Sequence, residues 1–411
     1  MLPRDAGQSR LPEPPAMIIT FLTIPGILPY SGLDYNCKAP YYETQELRGG
    51  KVAFKLSMYP WIHQAHFDGK YWEEEYLERP HHTLEEEASM SDEEHTALVD
   101  SRNRLPHLPI VSYSTQYGLS CFEGLKAFPQ PDGSLKLFRP DRNCARMAAS
   151  MKGLRMPPID EELLLNAMKE TVRRNAVIGF TPEYNPAWES NFWQNGDAVY
   201  IRPFSYSEGG IGVNLSYRPW VITVCTTVSQ YFTPGANNAI TSKRIRATPN
   251  GIGWIKTSAN YAISILAKAE AIDDGYMEAI FLDAAKQRYI EEGSSSNFFA
   301  LFPGGRLVTP MMKDTILPGV TRESIITIAE EMGLDVKEDD LRVDDVLNNA
   351  EECFVTGTAA GVTPLSSLTH SGRKQEFSSL KEDSISIHLL KVLKGIQYGA
   401  VEDKHNWMLE V

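Results

Sequence analysis

The chain has 411 residues, 42% hydrophobic and 23% charged, which is room for two or three domains and a core large enough to hold a deep pocket, and which excludes wholesale disorder, a collagen-like repeat and a disulfide miniprotein. Lys+Arg 40 against Asp+Glu 53 leave a net charge of −13, so nucleic acid is set aside as a partner. Five widely spaced cysteines (Cys37, Cys121, Cys144, Cys225, Cys353), without a CxxC pair or zinc spacing, read as reduced thiols in the cytoplasm.

In chain order, residues 1–30 read as a disordered lead. Its apolar stretch from Met17 to Tyr30 is broken by Pro25 and Pro29 and falls short of the roughly 20 residues a membrane helix needs, so no membrane span is expected, although organellar import stays open. Residues 31–110 carry short apolar pieces between Glu73–Glu75, Glu85–Glu87 and Asp92–Glu94, expected to be a solvated acidic surface. His63, His66, His81 and His82 lie among them without ordered ligand spacing, and no metal is expected.

From Ser134 the pattern sharpens. A strand is predicted over Leu135–Arg139, a helix from Pro140 to about Leu154, and a second helix over Ile159–Asn175. Ala198–Phe204 and Trp220–Cys225 are β-rich, with the Gly-rich Ser207–Val213 loop between them. Further helices are expected at Ser258–Asp273, Val320–Met332 and Ser384–Leu393, and strands at Glu278–Leu282, Asn297–Phe302 and Cys353–Thr356. The fold class is therefore mixed α/β (α+β), divided into an N-terminal domain at 31–225, an interdomain loop at 226–240 and a C-terminal domain at 241–411.

Lys256 stands in Gly251-Ile-Gly-Trp-Ile-Lys-Thr-Ser-Ala-Asn-Tyr261, where Trp254 and Ile255 would desolvate its ammonium and favour a nucleophilic amine. A phosphate loop would need glycine directly before the lysine, where Ile255 stands. Glu291 and Glu292 precede a run of small residues, with a strand to follow. Leu317-Pro-Gly-Val-Thr-Arg322 opens a helix whose free N–H groups suit an anion, and Thr356-Gly-Thr-Ala-Ala-Gly361 is small enough for a ligand to touch backbone. Together these suit one cofactor with an aldehyde, a pyridine nitrogen and a phosphate.

On these motifs, with Phe122-Glu-Gly-Leu-Lys-Ala-Phe128, Tyr200-Ile-Arg-Pro203 and Asn260-Tyr261 in the same order, the chain resembles the branched-chain amino acid aminotransferases, pyridoxal phosphate enzymes of fold type IV. The resemblance implies a small N-terminal α/β domain, a larger C-terminal domain with a pseudo-barrel core, and a homodimer sharing its pockets. It implies transamination between Leu, Ile or Val and 2-oxoglutarate, and Lys256 as the catalytic residue and covalent anchor of pyridoxal 5′-phosphate. Glu292 would bond the pyridine nitrogen, with Glu291 the weaker candidate, and Tyr261 the phenolic oxygen. Arg146, Val320, Thr321 and Thr358 would hold the phosphate. Tyr200 and Arg202 would take a distal carboxylate; Tyr117, Phe122 and the Val224–Tyr231 loop would enclose an aliphatic side chain; Ala359 and Ala360, with Thr358, would present N–H groups to the α-carboxylate.

Departures from the family pattern are Thr257-Ser-Ala259 after the lysine, where extra side chains would narrow the site, Ser294–Ser296 in place of a more usual Gly/Thr run, and an Asn185–Gly196 insertion. A D-amino acid aminotransferase, an aminodeoxychorismate lyase, or a catalytically idle binding relative are the alternatives.

Overall fold

A computed structural model describes residues 57–105, 107–194, 196–228, 237–359 and 361–411. The lead at 1–30, Cys37, Tyr231 and Ala360 lie outside the described residues.

Two sheets organise these residues. The first has seven strands in the order Met408–Glu410, Leu135–Phe138, Leu125–Pro129, Ala198–Tyr206, Trp220–Val228, Trp61–Phe67, Trp72–Glu78. Every neighbouring pair is antiparallel, and the chain's last strand returns to pair with Leu135–Phe138. The second sheet has eleven strands among the described residues, running from Asp335–Asp339 to Arg373–Glu376. Its Asn297–Phe302 strand meets three partners: Glu352–Gly357 along one edge, and Arg306–Pro310 and Tyr289–Gly293 at different ends of the other. The architecture is α+β.

The helices Pro140–Gly153 and Glu161–Val177 lay Met147, Met151, Leu164, Met168 and Val172 on the first sheet's Leu125, Ala127, Val199 and Ile201, the apolar stripe that their 3.6-residue periodicity required. A second cluster joins Phe299 and Phe354 of the second sheet to Leu389, Leu390 and Leu393, and takes in Phe128, Phe138 and Ala198 of the first sheet. This cluster thus runs under both sheets. The Asn185–Gly196 insertion packs Trp188 and Trp193 around Tyr398.

Several expectations are corrected. Glu291 and Glu292 lie ahead of the Asn297–Phe302 strand as expected, but within a strand of their own, Tyr289–Gly293. The Trp220–Val228 strand includes 226–228, which had been assigned to the interdomain loop. The last long helix runs over Ile385–Gln397, past the predicted end at Leu393, and Gly395 inside it leaves room for Val401 against the helix. The acidic stretch is more than solvated surface: Thr83 with Glu86 and Ser91 with Glu94 form reciprocal N-terminal caps, and Glu87 is buried in an ion pair with the buried Arg102.

Candidate active site

Lys256 is held between three elements. Its carbonyl accepts from Phe122 N–H at 3.0 Å, its own N–H donates to Ser150 Oγ at 3.2 Å, and Asn260 Nδ2 donates to the carbonyls of Ile252 and Ile255 at 2.7 and 2.9 Å, stiffening the approach loop. The ammonium donates to Tyr261 Oη at 2.8 Å, and Tyr261 projects from the first turn of the Ala259–Asp273 helix. Trp254 packs into the first sheet's core beside Ile255, which also lines the pocket.

Lys256 opens on a cavity enclosed by the described residues. Among its lining residues are Arg146, Tyr261, Glu292, Val320, Thr321 and Thr358, so every residue assigned to a cofactor from the sequence faces one space. Glu291 does not: its Oε1 accepts from Thr315 Oγ1 at 2.6 Å, on the side away from the cavity lining.

Glu292 is locked from both ends. Oε2 accepts from Leu317 N–H at 3.0 Å and Asn297 Nδ2 at 3.3 Å, and Oε1 pairs with Arg246. Burial pushes its carboxyl up to about 7, against the pull of Arg246 and the Leu317 N–H. Asn297 stands directly opposite Glu292 in strand register and also donates to Leu317 O at 3.0 Å. That places its amide hard against Gly319, where any side chain would collide with it. The glycine is required by this close approach, and beyond it the Val320–Glu331 helix begins with no side-chain cap, leaving its first N–H groups to the cavity.

Arg146 is engaged by a residue the motif contained but to which no role had been given. Nε and Nη2 grip both oxygens of the fully buried Glu123 at 2.7 and 2.8 Å, and Nη1 donates to Pro318 O at 2.8 Å. Burial alone would raise Glu123, but Arg146 and Asn143 outweigh it and hold it below its ordinary value.

Two orphaned atoms test the fit of a phosphorylated pyridine. Ser296 Oγ and Thr356 Oγ1 are buried without a hydrogen-bond partner, and both residues line this cavity. With a free helix N-terminus, a buried carboxylate and a lysine all lining one cavity, the donor set suits the group. Arg246 had escaped the sequence reading, and the Ser296 and Thr356 hydroxyls, though in segments it named, had no role there. Arg246 ends the basic run Lys243-Arg-Ile-Arg246, which resembles a surface patch, and the two hydroxyls are brought to the cavity only by sheet pairing.

The substrate candidates are arranged around Phe122. Its ring lies 4.7 Å from the Tyr261 ring, 4.8 Å from Lys256 Nζ and 4.7 Å from the Arg202 guanidinium. Arg202 donates to Tyr200 Oη at 2.7 Å, and Gly124 must lack a side chain because the Tyr200 hydroxyl fills that space. Tyr117 stands apart from the cavity: it is 43% exposed and its hydroxyl accepts from Gly212 N–H at 3.0 Å. Val224 pairs with Arg202 in register, while 229–231 of the expected enclosing loop lie outside the described residues. Ala359 presents its carbonyl to Lys126 Nζ at 2.7 Å. The side chains at 257–259 do not narrow the cavity, since none lines it. Thr257 Oγ1 instead donates to Gly118 O at 3.3 Å, and Ser258 Oγ accepts from Ser120 at 2.6 Å.

The family model described as amino-transferase class IV matches residues 120–368. The chain is 34% identical over 307 residues to a probable branched-chain-amino-acid aminotransferase of Staphylococcus epidermidis, covering 72% of this chain and 81% of the relative. Among solved structures it is similar to the branched-chain amino acid aminotransferase of Escherichia coli, with a TM-score of 0.63 at 30% identity over 74% of this chain and 93% of that one. It is likewise similar to the T.th. branched-chain amino acid aminotransferase complexed with N-(5′-phosphopyridoxyl)-L-glutamate, with a TM-score of 0.61 at 29% identity over 74% and 93%.

Proposed function

The chain belongs to the class IV aminotransferases, and on that premise we propose that its pocket passes amino groups between branched-chain L-amino acids and 2-oxoglutarate with pyridoxal phosphate as cofactor. The observation that carries this is that Lys256, the buried carboxylate of Glu292 and the uncapped N-terminus of the Val320–Glu331 helix all line one cavity.

Pyridoxal phosphate supplies a ring that accepts electrons from the substrate's Cα. The chain's residues do the rest. Val320 and Thr321 N–H groups, with Thr358 and Arg146, hold the phosphate. Glu292 keeps the pyridine nitrogen protonated, and Tyr261 orients both the phenolic oxygen and the Lys256 amine. Lys256 would carry the proton at Cα. Phe122 walls the aliphatic side chain, and Thr358 and Ala359 would offer N–H groups to the α-carboxylate.

2-Oxoglutarate is assigned as acceptor because Arg202 and Tyr200 lie just across the Phe122 ring, and the T.th. relative carries a glutamate adduct. Arg202→Met should injure the glutamate half-reaction by roughly 1.5–3 kcal/mol, the worth of a charge-assisted contact, and leave the leucine half-reaction nearly unchanged. Single-turnover absorbance with each amino acid measures the split. Equal losses would assign Arg202 to the fold or the α-carboxylate, and turnover of D-alanine in place of L-leucine would move the chain to the D-amino acid class.

We also assign a domain division that falls between the Trp220–Val228 and Asn238–Thr241 strands, a cytoplasmic setting, and a homodimer. Cys121, Cys144, Cys225 and Cys353 are free and buried, as in a reducing compartment, and no helix among the described residues is long and apolar enough to cross a membrane. For the dimer, Ile110 and Val213 are 91% and 94% exposed on segments joined by the Gly210 N–H to Val111 carbonyl bond. The Ala259–Asp273 helix also turns Ile265, Leu266 and Ile272 outward. Apolar surface of this kind marks an interface. Sedimentation equilibrium should give twice the 46.1 kDa chain mass; a monomer at micromolar concentration would exclude the shared pocket.

A further inference from the structure

The charges around the cavity are largely cancelled. Arg146 is neutralised by the bidentate grip of Glu123, and Arg246 by Glu292. A phosphate dianion placed at the Val320–Glu331 N-terminus would thus meet guanidinium groups that bring little net positive charge, and a helix terminus contributes only about half a charge.

Two lysines stand near that helix end: Lys126 lines a cleft with it, and Lys394 lies beside Phe128, another wall of that cleft. Lys126, 5% exposed on the Leu125–Pro129 strand, reaches Ala359 O and shares a small enclosed cleft with Asn143, Val320, Thr321, Thr358 and Gln397. Gln397 Oε1 is buried there without a partner. Lys394, 6% exposed on the Ile385–Gln397 helix, holds its ammonium 5.9 and 5.8 Å from the Phe128 and Tyr398 ring centroids. The two lysines repel one another, and neither forms a salt bridge with a carboxylate among the described residues. Burial pushes Lys394 down to about 8 and Lys126 well below its ordinary value. Unpaired buried ammonium groups are costly and seldom kept without a counter-charge.

We propose that Lys126 and Lys394 together form the counter-charge of the cofactor's phosphate, acting through the low-dielectric surroundings of Thr358 and the helix N-terminus. The proposal rests on the phosphate lying at that helix end, and it gives the pair no part in the proton transfers.

The test is equilibrium titration of cofactor-free protein with pyridoxal phosphate and with pyridoxal, followed by absorbance and protein fluorescence. The ratio of the two dissociation constants isolates the phosphate. Lys126→Gln keeps a donor for the Ala359 carbonyl and loses the charge; Lys394→Met loses the charge beside Phe128. In each, the preference for the phosphorylated ligand should fall about tenfold or more, with pyridoxal affinity little changed, and cofactor-free Lys394→Met should melt no lower than the parent. An unchanged ratio in both variants overturns the proposal, as does a loss confined to amino-acid affinity. Should Lys126→Gln fail to fold, Lys394→Met alone decides. Thr358→Val marks the phosphate's position: a lowered ratio there with unchanged lysine variants rejects the counter-charge alone, whereas an unchanged ratio in all three rejects the placing of the phosphate.

Discussion

Glu292→Gln should lower kcat on the order of 10² or more with little change in KM, while Glu291→Gln leaves kcat near the parent value. Glu292 faces the cavity and is preorganised by Leu317 N–H, Asn297 and Arg246, so on the proposed function it would hold positive charge at the pyridine nitrogen, a contribution a neutral amide cannot make. Glu291 bonds Thr315 off the cavity, and its replacement should register in stability instead. Steady-state kinetics of the two variants side by side decide between them; a sensitive Glu291 would reverse the assignment.

The same carboxylate gives a pH signature in the cofactor-free protein. Its folded-state value is raised from 4.5 to about 7, so the folded state binds more protons than the unfolded one in that interval. The associated stability is fully present below pH 4.5 and lost as pH rises through 7. Melting temperatures across this window should fall less steeply for Glu292→Gln than for the parent. Parallel curves would mean that Arg246 holds Glu292 ionised throughout.

Lys256→Ala should abolish transamination, a loss larger than any other single change, while the chain stays folded with a melting temperature close to the parent. Its side chain makes one hydrogen bond, to Tyr261, whereas the backbone bonds that tie the loop down, through Phe122, Ser150 and Asn260, survive truncation. Circular dichroism and turnover of L-leucine measure the two halves of this expectation. Residual activity at about a percent of the parent would mean that another base carries the proton.

Much of the site was legible because its motifs are built of residues with a local physical reason. Gly319 permits the Asn297 approach, Pro318 and Gly319 start a helix without a cap, and Lys256 precedes a helix whose first turn carries Tyr261. These signals survive in one dimension. The partners of the charged groups do not. Glu123 meets Arg146 across the space between the first sheet and a helix, Arg246 reaches Glu292 across a loop, and Thr356 comes to the cavity only through its register with Asn297. The strand Tyr289–Gly293 was missed for a related reason: Glu291 and Glu292 are poor strand formers, and their conformation comes from pairing with Glu278–Leu282 and Leu341–Arg342. The helix over Leu84–Ser89 was hidden by its acidity, although that acidity is what caps it.

Covalent trapping tests the central claim, that Lys256 carries the cofactor, most directly. The protein is loaded with pyridoxal phosphate, reduced with borohydride, digested, and mapped by mass spectrometry. The account predicts a single phosphopyridoxyl group on Lys256, absent when L-glutamate is added before reduction. A label on another lysine, or none after loading, would contradict it.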